Sequence, residues 1–320
     1  MQDTGVRFVR ASIYDEGRLA MATGNPKVLV TGSSGPIGAA LLPLLESFRY
    51  QIMRLVRGHP RDANEVSWDP STPLDPAIVS GYDAVIHLAG ESIVGLWTAK
   101  KKAKIRESRV QGTTHLANAL AQAEQKPKVF ISASAIGFYG NRGEDILTEN
   151  SLSGQGFLPE VSREWESAAQ PAEDTGIRVV HPRFGLVLSP KGGALEPTLI
   201  PFRLGLGGNL GSGKQWWSWI HVQDVAGAIL HAMRGETMRG PMNVVAPNPV
   251  RNAEFTKTLA RILRRPAFFT IPAFALRLAM GEMADELLLS SQHVRPTKLL
   301  ASGYQFRFPE LRGALAELLH

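Results

Sequence analysis

Thr31-Gly32-Ser33-Ser34-Gly35-Pro36-Ile37-Gly38 is the stretch that decides the fold. It follows Lys27-Val28-Leu29-Val30, a short apolar run. It precedes residues 37–48, where apolar side chains recur at helical spacing. Strand, glycine-rich turn and helix, in that order, make the phosphate cradle of a dinucleotide-binding domain. Gly32 permits the tight turn. Gly35 lets a pyrophosphate approach the backbone, and Gly38 lets helix and strand pack closely. Ser34, Pro36 and Ile37 complete the loop, whose free amides and helix dipole favour negative charge. No Gly-Lys-Ser/Thr follows, which argues against a P-loop.

Working outward, residues 51–56, 83–88 and 128–132 read as further strands, and another begins at Arg178. Residues 98–122 and 162–172 read as helices between them. Strands alternating with helices imply a parallel sheet covered on both faces. Right-handed crossovers make it an α/β, Rossmann-type doubly wound sheet. After about Leu188 the pattern changes. Residues 191–213 are rich in glycine and proline and are expected near the ligand cleft. Residues 222–234, 251–263, 273–280 and 311–319 read as helices, and 242–245 as a returning strand. The expected organisation is an extension over 1–23, expected to be disordered, a dinucleotide-binding domain over 24–265 with cap elements interleaved, and a small, mainly helical C-terminal cap over 266–320.

The second strand ends Leu55-Val56-Arg57. An NAD enzyme often places Asp or Glu here, against the ribose hydroxyls; Arg57 instead offers a cation to a 2′-phosphate. NADP(H) is therefore expected ahead of NAD(H). The plainer reading of Arg57 is a solvated loop charge.

Composition narrows the function. The 320 residues are 44% hydrophobic, enough for a sizeable core. No run reaches the roughly 18 apolar residues a membrane span needs. There is no cysteine, which rules out disulfides and thiolate ligands and fits a cytoplasmic location. The net charge of +6 has one dense cluster, at residues 100–104, and no nucleic-acid motif accompanies it, so it reads as a mild basic excess or an anionic ligand rather than nucleic acid; the expected partner is a small-molecule substrate, with no nucleic acid and no membrane. A homodimer is also anticipated. No His and carboxylate cluster has metal-ligand spacing, so no metal is expected.

With these residues in view, the sequence resembles the extended short-chain dehydrogenase/reductase superfamily. Its Gly32-x-x-Gly35-x-x-Gly38 spacing is typical of that group. His87-Leu88-Ala89-Gly90, Ile131-Ser132-Ala133-Ser134 with Tyr139-Gly140, and Trp219-Ile220-His221-Val222-Gln223-Asp224 agree with it. Glu91-Ser92-Ile93, Ser108-Arg109 and Pro201-Phe202-Arg203-Leu204-Gly205-Leu206-Gly207-Gly208 resemble an epimerase-like branch. That branch carries a small C-terminal domain of unknown function, beginning here near Pro266. The resemblance covers about residues 27–319. It implies that Val56, Arg57, Leu88, Ala89, Gly90 and Arg109 lie along the cofactor, with Lys104 nearby. It places Pro182 and Arg183 near the nicotinamide. Glu91 and Arg203 are candidate substrate contacts.

Typical members of the superfamily use Tyr-x-x-x-Lys, whose phenol exchanges a proton while hydride moves. None of the five tyrosines here begins such a motif. The expected helix reads Phe157-Leu158-Pro159-Glu160-Val161-Ser162-Arg163-Glu164-Trp165-Glu166, where Arg163 could replace only the lysine's charge. Ser134 stands where the family places a substrate-bonding serine, and Tyr139 is the candidate proton donor; the plainer reading of Tyr139 is loop packing. His221 and Asp224 read as residues fixing the cap to the sheet, and His87 as a core histidine. The expected activity is that of an NADP(H)-dependent oxidoreductase or epimerase acting on a small, sugar-nucleotide-like substrate. A cofactor-binding regulator or scaffold with little catalysis is the alternative.

Overall fold

A computed structural model describes residues 25–190, 192–193 and 195–319. The 1–23 extension therefore lies outside the described residues. Among the described residues the main sheet has eight parallel strands: β1 (Lys27–Thr31), β2 (Gln51–Val56), β3 (Glu65–Ser67), β4 (Ala84–His87), β5 (Val129–Ser132), β6 (Arg178–Phe184), β7 (Gly240–Val244) and the two-residue Ser134–Ala135, which pairs with the end of β6 off the main path. The order along that path is β7-β6-β5-β4-β1-β2-β3. Succession reverses between β1 and β4, and the crevice beyond that point is where such sheets bind ligands.

Alternation along each strand builds two core layers. Val28, Val30, Ile86, Ile131 and Val180 pack with Leu41 and Leu45 of α1 (Pro36–Ser47). Leu29, Val85, Phe130 and Val179 point to the other face, against Leu116 and Leu120 of α2 (Ala99–Gln122). A period of two therefore supplies both faces of one doubly covered sheet. The helix expected over 162–172 is instead α3 (Phe157–Ser167) followed by a separate turn, Gln170–Glu173. The glycine- and proline-rich segment contains α4 (Leu195–Arg203). Beyond it lie α5 (Val222–Arg234), α6 (Asn252–Leu263), α7 (Ala273–Met280) and α8 (Leu311–Leu319).

The C-terminal elements are stitched to the sheet domain. Leu311, Ala314 and Leu315 of α8 share a buried cluster with Trp219, Phe255 and Leu259. His221 pairs with Glu317 at 2.8 Å. Asp224 accepts from the backbone N–H of Arg307 (2.7 Å) and Phe308 (2.9 Å). His221 and Asp224 thus tie the last helix and the segment before it to the start of α5. Short strand pairs, such as Gly208–Leu210 with Phe269–Ile271, supplement the helices of the cap.

Candidate functional site

The glycine loop is built as its spacing requires. Gly32 has φ +69°, and a Cβ there would lie 2.6 Å from the backbone of Leu88 and Ala89. A Cβ at Gly38 would lie 2.5 Å from the Ser33 carbonyl oxygen. Gly35 differs: a Cβ there would meet nothing nearer than 3.4 Å. Gly35 also caps α1 without any side-chain hydrogen bond, and Pro36 follows. The first turn of α1 therefore presents uncapped amides at an open surface, which fits a bound pyrophosphate. Gly192 lies over the same turn, its Cβ position 3.3 Å from the Pro36 side chain.

Thr31 fastens β1 to β4 beneath this loop. Its Oγ1 is 2.7 Å from His87 Nδ1 and accepts from the Ala89 N–H at 3.3 Å. His87 is fully buried, and burial lowers its pKa to about 4, so it is neutral in the fold.

Cations collect at the end of β4. Glu91 Oε1 accepts from Lys101 Nζ at 2.7 Å. That hydrogen bond, then the charges of Lys101, Lys104 and Arg57, hold the Glu91 carboxyl below its ordinary range. With Arg109, four cations thus act on one carboxylate. Arg57 and Lys104 are exposed and have no ion-pair partner among the described residues, whereas Arg54 is taken by Asp62 and Glu65. Val56 is half-buried, paired with Ser67 of β3. Arg109 lies against Gly90 and donates to the carbonyls of Glu91 (3.0 Å) and Ile105 (3.2 Å). Its guanidinium sits 5.0 Å from the Trp165 ring. Burial lowers the Arg109 pKa to about 10 against the opposing charge of Glu91, and Arg109 makes no ion pair among the described residues.

The third group joins β5, α3 and β6. Ser134 follows β5 and pairs with Arg183 in β6, next to Pro182. Ser134 Oγ donates to Glu166 Oε1 at 2.6 Å. Arg183 grips the same carboxylate through Nε (2.7 Å) and Nη2 (2.8 Å). Its Nη1 donates to Tyr139 Oη at 3.0 Å, and that hydroxyl donates to Asn243 Oδ1 at 2.7 Å. Tyr139 is 0% exposed, and burial, against the pull of Arg183, raises its pKa. Its proton is directed into the core, to Asn243. Arg183, expected beside the nicotinamide, is bound to Glu166. Arg163 bonds Ser153 and the Gly154 carbonyl instead of entering this group. Arg203 is exposed at the end of α4 and no contact joins it to the other candidates among the described residues.

No motif in the sequence gives Glu166 a role. The available signal was a carboxylate on the buried face of an amphipathic helix, beside Val161, Ser162 and Trp165, in a fold that also buries Arg183. Lys101 was likewise passed over, although it lies one helical turn before Lys104. Among the described residues, no group of three or more His, Asp or Glu is placed to hold a metal ion, and no helix is long and apolar enough to cross a membrane.

A doubly wound parallel sheet, an open glycine loop at its switch point and an excess of cations beside it define a dinucleotide-binding α/β protein of the short-chain dehydrogenase/reductase type. The chain belongs to the NAD dependent epimerase/dehydratase family, whose model matches residues 28–245. A domain of unknown function, DUF1731, matches residues 271–318. An epimerase family protein of Mycobacterium leprae is 38% identical over 300 residues, covering 93% of this chain and 97% of the relative. The crystal structure of the human epimerase family protein SDR39U1 with NADPH superposes with a TM-score of 0.84 at 36% identity, covering 91% of this chain and 98% of that one. The nucleoside-diphosphate sugar epimerase of Corynebacterium glutamicum gives a TM-score of 0.77 at 39% identity, covering 92% of this chain but 58% of that one.

Proposed function

We propose that the protein binds NADP(H) and is an oxidoreductase or epimerase-like enzyme acting on a small, sugar-nucleotide-like substrate. One observation carries the cofactor: Arg57 and Lys104 stand exposed within the electrostatic reach of Glu91, without an ion-pair partner of their own among the described residues, leaving positive charge for a phosphate. The NADPH described for the human relative supports the same choice. Gly32, Ser34, Gly35, Pro36, Ile37 and Gly38 hold the pyrophosphate. Val56, Leu88, Ala89 and Gly90 line the adenosine side, and Arg57 meets the 2′-phosphate. Lys104 and Arg109 add charge along the cofactor, and Pro182 and Arg183 bring β6 toward the nicotinamide end. Bound there, the cofactor supplies or takes up a hydride. Ser134 holds the substrate oxygen, Tyr139 fixes Arg183 from behind, and Glu91 and Arg203 contact the substrate. We place the domain boundary at 265/266, and we take the protein to act in the cytoplasm as a homodimer.

The test is NADPH fluorescence enhancement, followed by dinucleotide turnover against a panel of small carbonyl compounds and secondary alcohols. Binding with turnover of at least one member is expected. The absence of tyrosine from α3 favours a second reading, a cofactor-binding regulator. Tight binding without turnover of any member would select it.

A further inference from the structure

We infer that Ser134 and Glu166 form the proton-transfer pair of this site, taking the place of the missing tyrosine and lysine. This rests on the hydride-transfer reading above. Glu166 lies on α3, the helix where the family carries Tyr-x-x-x-Lys, and its carboxylate is the acceptor of the Ser134 hydroxyl at 2.6 Å. That is the short distance of a hydroxyl bonded to an ionised carboxylate. Because the Ser134 proton points to Glu166, the lone pairs of Oγ face elsewhere. With Glu166 ionised they accept from a substrate hydroxyl; with Glu166 protonated the Ser134 proton is free to go to a carbonyl oxygen.

The rest of the cluster fixes this arrangement. Two Arg183 bonds hold the Glu166 carboxylate in place, and the guanidinium rests 3.5 Å from the Phe138 ring centroid. Tyr139, the nearby phenol, has its proton committed to Asn243. The step does not call for a strong base. As the C–H bond of a carbinol breaks, its O–H becomes extremely acidic.

The step balances as follows. The carbinol C–H pair leaves as hydride to an oxidised nicotinamide, and the carbinol is oxidised by two electrons. Its O–H proton passes to Ser134 Oγ, while the Ser134 proton passes to Glu166 Oε1. Glu166 side-chain exposure is 13%, whereas Ser134 is 1% exposed, so the carboxyl is the member of the pair that returns the proton to water. Reduction of a carbonyl runs the same path backward.

The competing explanation is a buried ion pair that only ties α3 to β6. Glu166→Gln, Ser134→Ala and the double variant separate the two. In the apoprotein, one glutamate carboxyl resonance in a ¹³C NMR spectrum, absent in Glu166→Gln, is expected to shift in Ser134→Ala. With NADP(H) and a panel substrate turned over by the parent, each single variant is expected to lower kcat about a hundredfold. KM and NADPH affinity are expected to change by less than about twofold, and the double variant to be no slower than either single one, as for residues acting as a unit. If Glu166→Gln fails to fold, Ser134→Ala decides, because it leaves the Glu166–Arg183 pair in place. Near-parental kcat in Ser134→Ala overturns the pair while leaving the hydride-transfer reading standing. No turnover by the parent overturns that reading, and the pair with it.

Discussion

Glu286 caps the helix that carries Glu166. Its two carboxylate oxygens accept from the backbone N–H of Phe157 (2.8 Å) and Leu158 (2.7 Å), the first turn of α3. Glu286 comes from a short π-helical segment, Ala284–Leu288, and supplies from afar the cap that Gly156, the local N-cap residue, cannot make. The C-terminal domain thereby fixes the start of the helix that faces Ser134.

Glu286→Ala should cost about 1–2 kcal/mol, the scale of a lost helix cap, raised by the charge on the acceptor. Denaturant titration of the parent and variant checks the loss. NADPH affinity should hold within about twofold, since the glycine loop lies on α1. Loss of NADPH binding together with unchanged stability would contradict this assignment.

The glycines of the loop should behave differently from one another. Gly32→Ala forces a side chain into a backbone at 2.6 Å with φ +69°, so it should lower the melting temperature sharply. Gly35 has φ −75° and open space, so Gly35→Ala should fold with nearly parental stability. It should nevertheless weaken dinucleotide binding by at least about tenfold, because the methyl group occupies the side that a pyrophosphate must approach. Differential scanning fluorimetry with and without NADPH separates the two effects.

His87 predicts an acid-side loss of stability. Its folded pKa of about 4 lies below the ordinary 6.5 because it is buried. Between these values the unfolded chain binds a proton that the folded chain refuses. Stability is therefore full above pH 6.5 and falls as the pH drops toward 4, by up to about 3 kcal/mol from this group. His87→Phe should flatten the pH dependence of unfolding between pH 7 and 4.5, at the cost of the bond to Thr31. A variant with the parental slope would show that His87 is not the source.

Asp224 should be a stability residue. Its carboxylate satisfies two backbone N–H groups, of Arg307 and Phe308, and burial raises its pKa in spite of those bonds. Asp224→Ala should cost about 3 kcal/mol, since two donors lose their acceptor. Limited proteolysis should then cut preferentially near residues 303–310. Unchanged stability would show that those donors find other partners.

The sheet and the loop were legible because their signals are local. β1, β2 and α5 fall where apolar periodicity puts them, and Thr98 begins α2 as a capping residue followed by periodic residues. Periodicity alone starts α3 too late, at 162, although the resemblance sets the helix at Phe157–Glu166; its true start depends on a partner 129 residues away, and Pro159 in its first turn looks like a breaker when read alone. The three-residue strands Glu65–Ser67 and Gly208–Leu210 are too short to show alternation. Of the proposed cofactor contacts, Gly32, Gly35 and Arg57 are read from motif position. Glu166 could not, because its meaning comes from Ser134 and Arg183, which only folding brings to it. Tyr139 was legible as a residue near Ser134, either a proton donor or packed in its loop, but its partner Asn243, 104 residues further on, was not.

The most direct measurement is a paired titration of the parent and Arg57→Ala with NADPH and with NADH at fixed ionic strength. The account predicts that the parent binds NADPH more tightly than NADH. Arg57→Ala should lose about tenfold to a hundredfold of NADPH affinity, the worth of a charge-assisted phosphate contact, and little NADH affinity. Equal losses for the two cofactors would contradict the 2′-phosphate contact, and binding of neither would contradict the account as a whole.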